Sequence, residues 1–145
     1  MAGKIQNKYA RFEYEILETF EGGLALVGDE IKAVRANRVN LKGSYAKLFY
    51  NKNSRPELFL VGAHFHSDTV DPYRTRKLLL KRDEIKRLLG KIQEKNLTVV
   101  PLSMYIKRGK AKIEIALARG KKLHDKRETI KKRDLERQVR NEKNI

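Results

Sequence analysis

Two runs of alternating apolar residues, joined by a four-residue turn, constrain this chain more than any other feature. Val100, Leu102, Met104 and Ile106 recur at every second position, as do Ala111, Ile113, Ile115 and Leu117. Successive side chains on an extended strand point to opposite faces, so each run offers one apolar face. Between them, Lys107-Arg108-Gly109-Lys110 reads as a hairpin turn. Lys112 and Glu114 then fall on the outward face of the second strand. Pro101 has no N–H for a ladder, which predicts an edge or a bulge in the first strand.

The rest of the chain supplies more short strands. Arg11 to Val27 reads as two strands broken by a turn at Glu21-Gly22-Gly23, with Phe12, Tyr14 and Ile16 on the apolar side. Asp29 is placed to cap a short helix from Glu30 to Asn37, where Ile31 and Val34 lie one turn apart. Ser44 to Tyr50 and Glu57 to Gly62 form a second strand pair around a polar turn. Residues 62–73 show no period and read as a loop, and Lys77 to Lys81 as a short strand. From Arg82 to Asn96, Ile85, Leu88, Leu89 and Ile92 recur at helical spacing, with Asn96 as a left-handed cap. About six strands with two inserted helices predict a mainly β chain: a small antiparallel barrel of the oligonucleotide-binding type over residues 1–120. Residues 121–145 form a basic tail, disordered or helical, with too few apolar side chains to pack on the body.

The net charge of +16 points to the partner. Such an excess repels itself and persists where something negative binds. A solubilising or thermophilic surface would balance its signs, and a membrane binder would gather its bases on an aromatic amphipathic helix. Here the bases are dispersed, which favours nucleic acid. Four clusters stand out: Asn7-Lys8-Tyr9-Ala10-Arg11; Lys32 with Arg35 and Arg38; Arg74-Thr75-Arg76-Lys77; and Lys107 to Lys110 with Lys112. Arginine forks match phosphate oxygens, lysines release counterions, and Tyr9 and Tyr73 can stack on exposed bases. Absence of cysteine excludes disulfides and thiolate metal sites. No apolar run reaches membrane-spanning length and no secretory segment is recognisable, so the cytoplasm is the expected compartment.

Catalysis finds little support. His64, His66, Asp68 and Asp71 are the nearest approach to a metal site, but no third strong ligand is fixed and a solvated loop is the simpler reading. No nucleophile elbow, phosphate-binding loop or dinucleotide fingerprint occurs. The expectation is a binding protein, not an enzyme, with no metal and no cofactor.

Taken in order, several motifs identify a resemblance. They are Asn7-Lys8, Phe20-Glu21-Gly22-Gly23-Leu24-Ala25-Leu26, Gly28-Asp29-Glu30-Ile31-Lys32-Ala33-Val34-Arg35, and Asp71-Pro72-Tyr73-Arg74-Thr75-Arg76-Lys77-Leu78-Leu79-Leu80. Glu84-Ile85, Val100-Pro101-Leu102, and Gly120-Lys121-Lys122 through Asp125-Lys126-Arg127 follow. Over nearly its whole length the chain resembles the small protein B family, the bacterial partner of transfer-messenger RNA (tmRNA, the SsrA RNA) in trans-translation. The resemblance implies a barrel that holds the tRNA-like domain of tmRNA and reaches stalled ribosomes with the elongation factor that delivers aminoacyl-tRNA. It places RNA contact on Asn7, Glu21, Leu79 and Lys112, with Lys8, Arg11, Lys32, Arg35, Arg76 and Lys77 as supporting bases. The tail, with Lys121, Lys122, His124, Asp125, Lys126 and Arg127, would meet the small-subunit decoding region and its rRNA. Departures are Ala33 where the family usually has Ser, Asn37 where it has Gly, a short loop from Ala63 to Val70, and Leu135 for an aromatic residue. The rival readings are a general ribosome-associated RNA-binding barrel without tmRNA preference and a metal-dependent nuclease.

Overall fold

The computed structural model describes residues 4–94 and 97–121; the cap at Asn96 and the tail from Lys122 onward lie outside the described residues. Chain order is β1 (Ile5–Gln6), α1 (Ala10–Glu13), β2 (Tyr14–Leu24), α2 (Gly28–Arg35), β3 (Val39–Asn40) and β4 (Tyr45–Tyr50). Then come β5 (Pro56–Val61), β6 (His64–Phe65), β7 (Arg76–Leu79), α3 (Arg82–Ile92), β8 (Leu97–Lys107) and β9 (Lys110–Gly120).

The hairpin of β8 and β9 forms as its sequence predicts. Lys107 pairs with Lys110, and Arg108 and Gly109 have φ of 53° and 75°. Two positive φ values in a two-residue loop twist the turn in the sense the strands require. From there β9 pairs with β2, β2 with β7, β7 with β5, β5 with β4, and β4 returns to β8, all antiparallel. The sheet therefore closes on itself, which removes its edges. β1 pairs with β8 at Ile5–Met104, beyond the point where β4 joins at Ala46–Val99. β3 and β6 make a separate small ladder, Val39–Phe65 and Asn40–His64, so β6 is a strand within the 62–73 stretch expected to be loop.

Two sets of apolar side chains are buried. The barrel interior holds Leu58, Leu60, Leu78, Val99, Met104, Ile113, Ile115 and Leu117. Leu88 joins it from α3, which touches β5, β8 and β9, and Val34 joins it from α2. Ala10, Val100, Leu102, Ala116 and Ala118 form a second cluster between α1 and the outer wall.

Pro101 explains the division. The β8–β9 register slips between Pro101 and Ser103, so Leu102 is an extra residue. One extra residue sends every later side chain to the opposite face. The alternation from Val100 to Ile106 is thus not one face: Val100 and Leu102 lie under α1, while Met104 and Ile106 belong to the interior cluster.

Three further expectations are corrected. Glu21-Gly22-Gly23 is no turn, because β2 runs unbroken through it to Leu24. Phe12 and Glu13 belong to α1 rather than to a strand. Asp29 does not cap α2, which begins at Gly28 after Val27; its carboxylate instead accepts hydrogen bonds from the hydroxyls of Ser67 (3.3 Å) and Thr69 (2.5 Å). Asn37, after α2, holds φ at 59°, a left-handed conformation that glycine or asparagine enters at small cost.

Candidate nucleic-acid interface

Register brings several of the expected contact residues into one row. Leu79 of β7 pairs with Gly23 of β2, Gly23 with Lys112 of β9, and Lys112 with Tyr105 of β8. Lys4, just before β1, extends the row by setting its ammonium 5.2 Å from the centre of the Tyr105 ring. Directly paired residues share a face, so this row crosses four strands on the outside of the barrel. Leu79 is 50% exposed there, and Glu21, two residues from Gly23, stands on the same face.

Gly23 lies in the row, and Gly22 beside it is buried on the other face of the strand. A Cβ on Gly22 would meet Leu80 Cδ2 at 2.5 Å and the Leu79 carbonyl oxygen at 3.0 Å. Gly22 permits this close approach, whereas a Cβ on Gly23 would meet nothing nearer than 3.5 Å; neither glycine turns the chain.

The electrostatics of the row centre on Glu21. It pairs with Glu114, an arrangement that alone repels. A hydrogen bond from the Tyr105 hydroxyl is the chief cause of a lowered Glu21 pKa, and Lys107, Lys112 and Lys4 add to it against the opposing effect of burial. That same bond, with burial and the charges of Glu21 and Glu114, pushes the Tyr105 phenol up to about 12. Glu21 therefore stays ionised, an acceptor on a basic surface, suited to a base N–H or a ribose hydroxyl. Tyr105 and Lys4 are the residues that sequence reasoning missed, while the strand pattern places Glu114 outward beside Lys112 without counting it as part of the surface. Counting back from the turn, Lys107–Lys110 and Ile106–Ala111, would have set Tyr105 opposite Lys112.

The other expected contacts lie elsewhere. Lys32 and Arg35 are exposed on α2, and Lys8 and Arg11 are exposed at α1. Lys77 is exposed on β7 but pairs with Glu57 at 3.0 Å. Asn7 acts inward: its Nδ2 donates to the carbonyls of Pro101 (2.9 Å) and Leu41 (3.4 Å), clamping the N-terminal segment onto the Pro101 bulge. Its Oδ1 is enclosed without a hydrogen-bond partner among the described residues.

Arg76 leaves the contact set. It is fully buried, with Nε on Glu30 at 2.5 Å, its two outer nitrogens donating to the carbonyls of Ala63 and Pro72 (both 3.0 Å), and its guanidinium 3.9 Å from the Phe65 ring centre. With no exposed surface, the guanidinium cannot reach a phosphate. His64 packs edge-on against Tyr73 at 5.0 Å, and among the described residues no three His, Asp or Glu side chains gather as metal ligands. No helix among them is long and apolar enough to cross a membrane.

Residues 4–144 match the sequence profile of the SmpB protein family, nearly the whole chain. This chain belongs to the SmpB family. SmpB relatives include the SsrA-binding protein of Gloeobacter violaceus, 52% identical over 141 residues, covering 93% of this chain and 90% of that protein. The SsrA-binding protein of Acaryochloris marina is 50% identical over 145 residues, covering 92% and 91%. Among solved structures, a chain described under "tmRNA-SmpB: a journey to the center of the bacterial ribosome" superposes with a TM-score of 0.69 at 44% identity, covering 88% of this chain and 94% of that one. The SmpB fold is thus the barrel described above.

Proposed function

We propose that this chain is a non-enzymatic adaptor of ribosome rescue, binding the tRNA-like domain of SsrA RNA with its barrel and the stalled ribosome with its tail. The observation that carries the reading is the row Leu79–Gly23–Lys112–Tyr105 with Glu21 beside it, in a chain whose relatives are SsrA-binding proteins. Leu79 offers an apolar contact, Lys112 a charge for phosphate, and ionised Glu21 an acceptor for a base or ribose. Lys77, Lys8, Arg11, Lys32 and Arg35 add counterion-releasing charge, and Asn7 holds the N-terminal segment in place. Residues 1–120 form the RNA-holding unit. Lys121, Lys122, His124, Asp125, Lys126 and Arg127 belong to the ribosome-directed tail, with His124 stacking on a decoding-region base and Lys126 and Arg127 on rRNA phosphates. The protein works in the cytoplasm, where ribosomes stall.

Filter binding tests this reading. A transcript of the tRNA-like domain should compete against random RNA of equal length by a large ratio. The logarithm of affinity should fall with the logarithm of salt at about −0.7 to −0.9 per phosphate contact, for roughly five contacts. Equal affinity for both RNAs would reduce the protein to a general RNA-binding barrel.

A further inference from the structure

The outer wall beside this row carries an aromatic surface that the proposed contacts do not use. On β4, Lys47 and Phe49 point outward because Ala46 is buried and Leu48 packs against the interior. On β5, Glu57 and Phe59 point outward because Leu58 and Leu60 are buried. Phe49 and Phe59 meet edge to face, with ring centres 5.3 Å apart at 82°. Together with Tyr50 they line a groove of about 350 Å³. Phe49 is 41% exposed and Tyr50 59%, an unusual concession of large rings to water.

Two observations identify what such a wall would take. The first is charge. Lys47 sits 5.3 Å from the Phe49 ring centre, Arg55 and Lys52 are exposed in the adjoining turn, and Lys77 pairs across to Phe59. The one acid among the described residues that line the groove, Glu57, is already held by Lys77 at 3.0 Å and by the Asn51 amide at 2.8 Å. A ring surface framed by cations is the arrangement that stacks bases while attracting their phosphates. The second is continuity. The groove shares Asn51 and Glu57 with a neighbouring one of about 530 Å³ lined by Lys77, Leu79, Arg82 and Lys86. Leu79 belongs to the contact row, so RNA lying on that row has a continuous path onto the aromatic wall.

We propose that the wall of β4 and β5 around Phe49, Tyr50 and Phe59 is a stacking site for an unpaired nucleotide of the bound RNA. It rests on the reading that the barrel binds RNA through the Leu79–Lys112 row, and extends that surface by a subsite that recognises a base face rather than a sequence.

The chain has no tryptophan, so Phe49→Trp in the full-length protein installs a single indole reporter at an outward position. Titration with a transcript of the tRNA-like domain should quench its emission to saturation. Phe49→Ala and Tyr50→Ala should each weaken filter-binding affinity about tenfold while leaving the salt slope unchanged, because a stacking contact is lost and no phosphate contact is. If Phe49→Trp unfolds on thermal melting, Tyr50→Trp carries the same readout. Transcript bound at wild-type affinity with unchanged emission overturns the proposal. If the wild type does not distinguish the transcript from random RNA, the adaptor reading fails instead. A short adenylate oligonucleotide then decides the stacking site: quenching supports it and no change overturns it. Emission that responds to RNA-free ribosomal protein but to neither RNA makes the wall a protein-docking surface and overturns it also.

Discussion

Glu30 ties three separate segments of the fold together. It is fully buried in α2, where its carboxylate accepts hydrogen bonds from the Val27 N–H, from two nitrogens of Arg74 and from Arg76 Nε. It thereby caps its own helix and neutralises a buried guanidinium that is 46 residues away in sequence. Burial works to raise its pKa, but the bonds from Arg74, Val27 and Arg76 outweigh it and hold the carboxyl below its ordinary value. A depressed native-state pKa stabilises the fold above the unfolded pKa. That stability is lost as pH falls through the native value. Glu30→Ala would leave Arg76 charged and unpaired in the interior and should cost about 3–5 kcal/mol, read from urea unfolding at neutral pH. The deficit against wild type should shrink as the pH is lowered past the ordinary carboxylate range. A deficit that does not change with pH would contradict the ion-pair account.

At the scale of elements, the contact row depends on strands pressed close together. β2 pairs with β7 through Gly23 and Leu24, and beside them only the missing Cβ at Gly22 leaves room for Leu80. Gly22→Ala should push β7 off β2 and destabilise the barrel by roughly 1–3 kcal/mol, the usual range for overpacking. Because Leu79 moves with β7, affinity for the tRNA-like domain should fall as well. Thermal unfolding and filter binding on the same variant check both; full stability together with full affinity would refute the close-approach reading. The Pro101 bulge is the second such device. It turns Met104 and Ile106 to the interior while Val100 and Leu102 stay under α1, and the Pro101 carbonyl accepts from Asn7, so a break in one ladder divides the two clusters and anchors the N-terminal segment.

Across the whole molecule the expected division of labour gives a direct experiment. Ending the chain after Gly120 removes Lys121 and the basic tail but none of the row formed by Leu79, Gly23, Lys112 and Tyr105. Binding to the tRNA-like domain should stay within about twofold of the full chain, while peptide tagging on stalled ribosomes in a reconstituted translation system should be abolished. Loss of RNA affinity with the tail would show that body and tail do not act separately. Much of this molecule was readable from local pattern. The β8–β9 hairpin, α3 and the β4–β5 pair follow from periodicity and turn chemistry, and the net charge of +16 by itself called for a polyanion. Those properties depend on residues a few positions apart, or on none in particular. Tertiary structure alone decided that Gly22-Gly23 lies within a strand, that the Pro101 bulge divides one apolar run between two clusters, and that Arg76 is buried on Glu30 while Lys77 beside it is exposed. It also decided that Leu79, Lys112, Tyr105 and Glu21 share one wall. A residue's exposure and charge partners are set by strands distant in sequence, and a one-residue slip in their pairing reverses every face that the local pattern assigns.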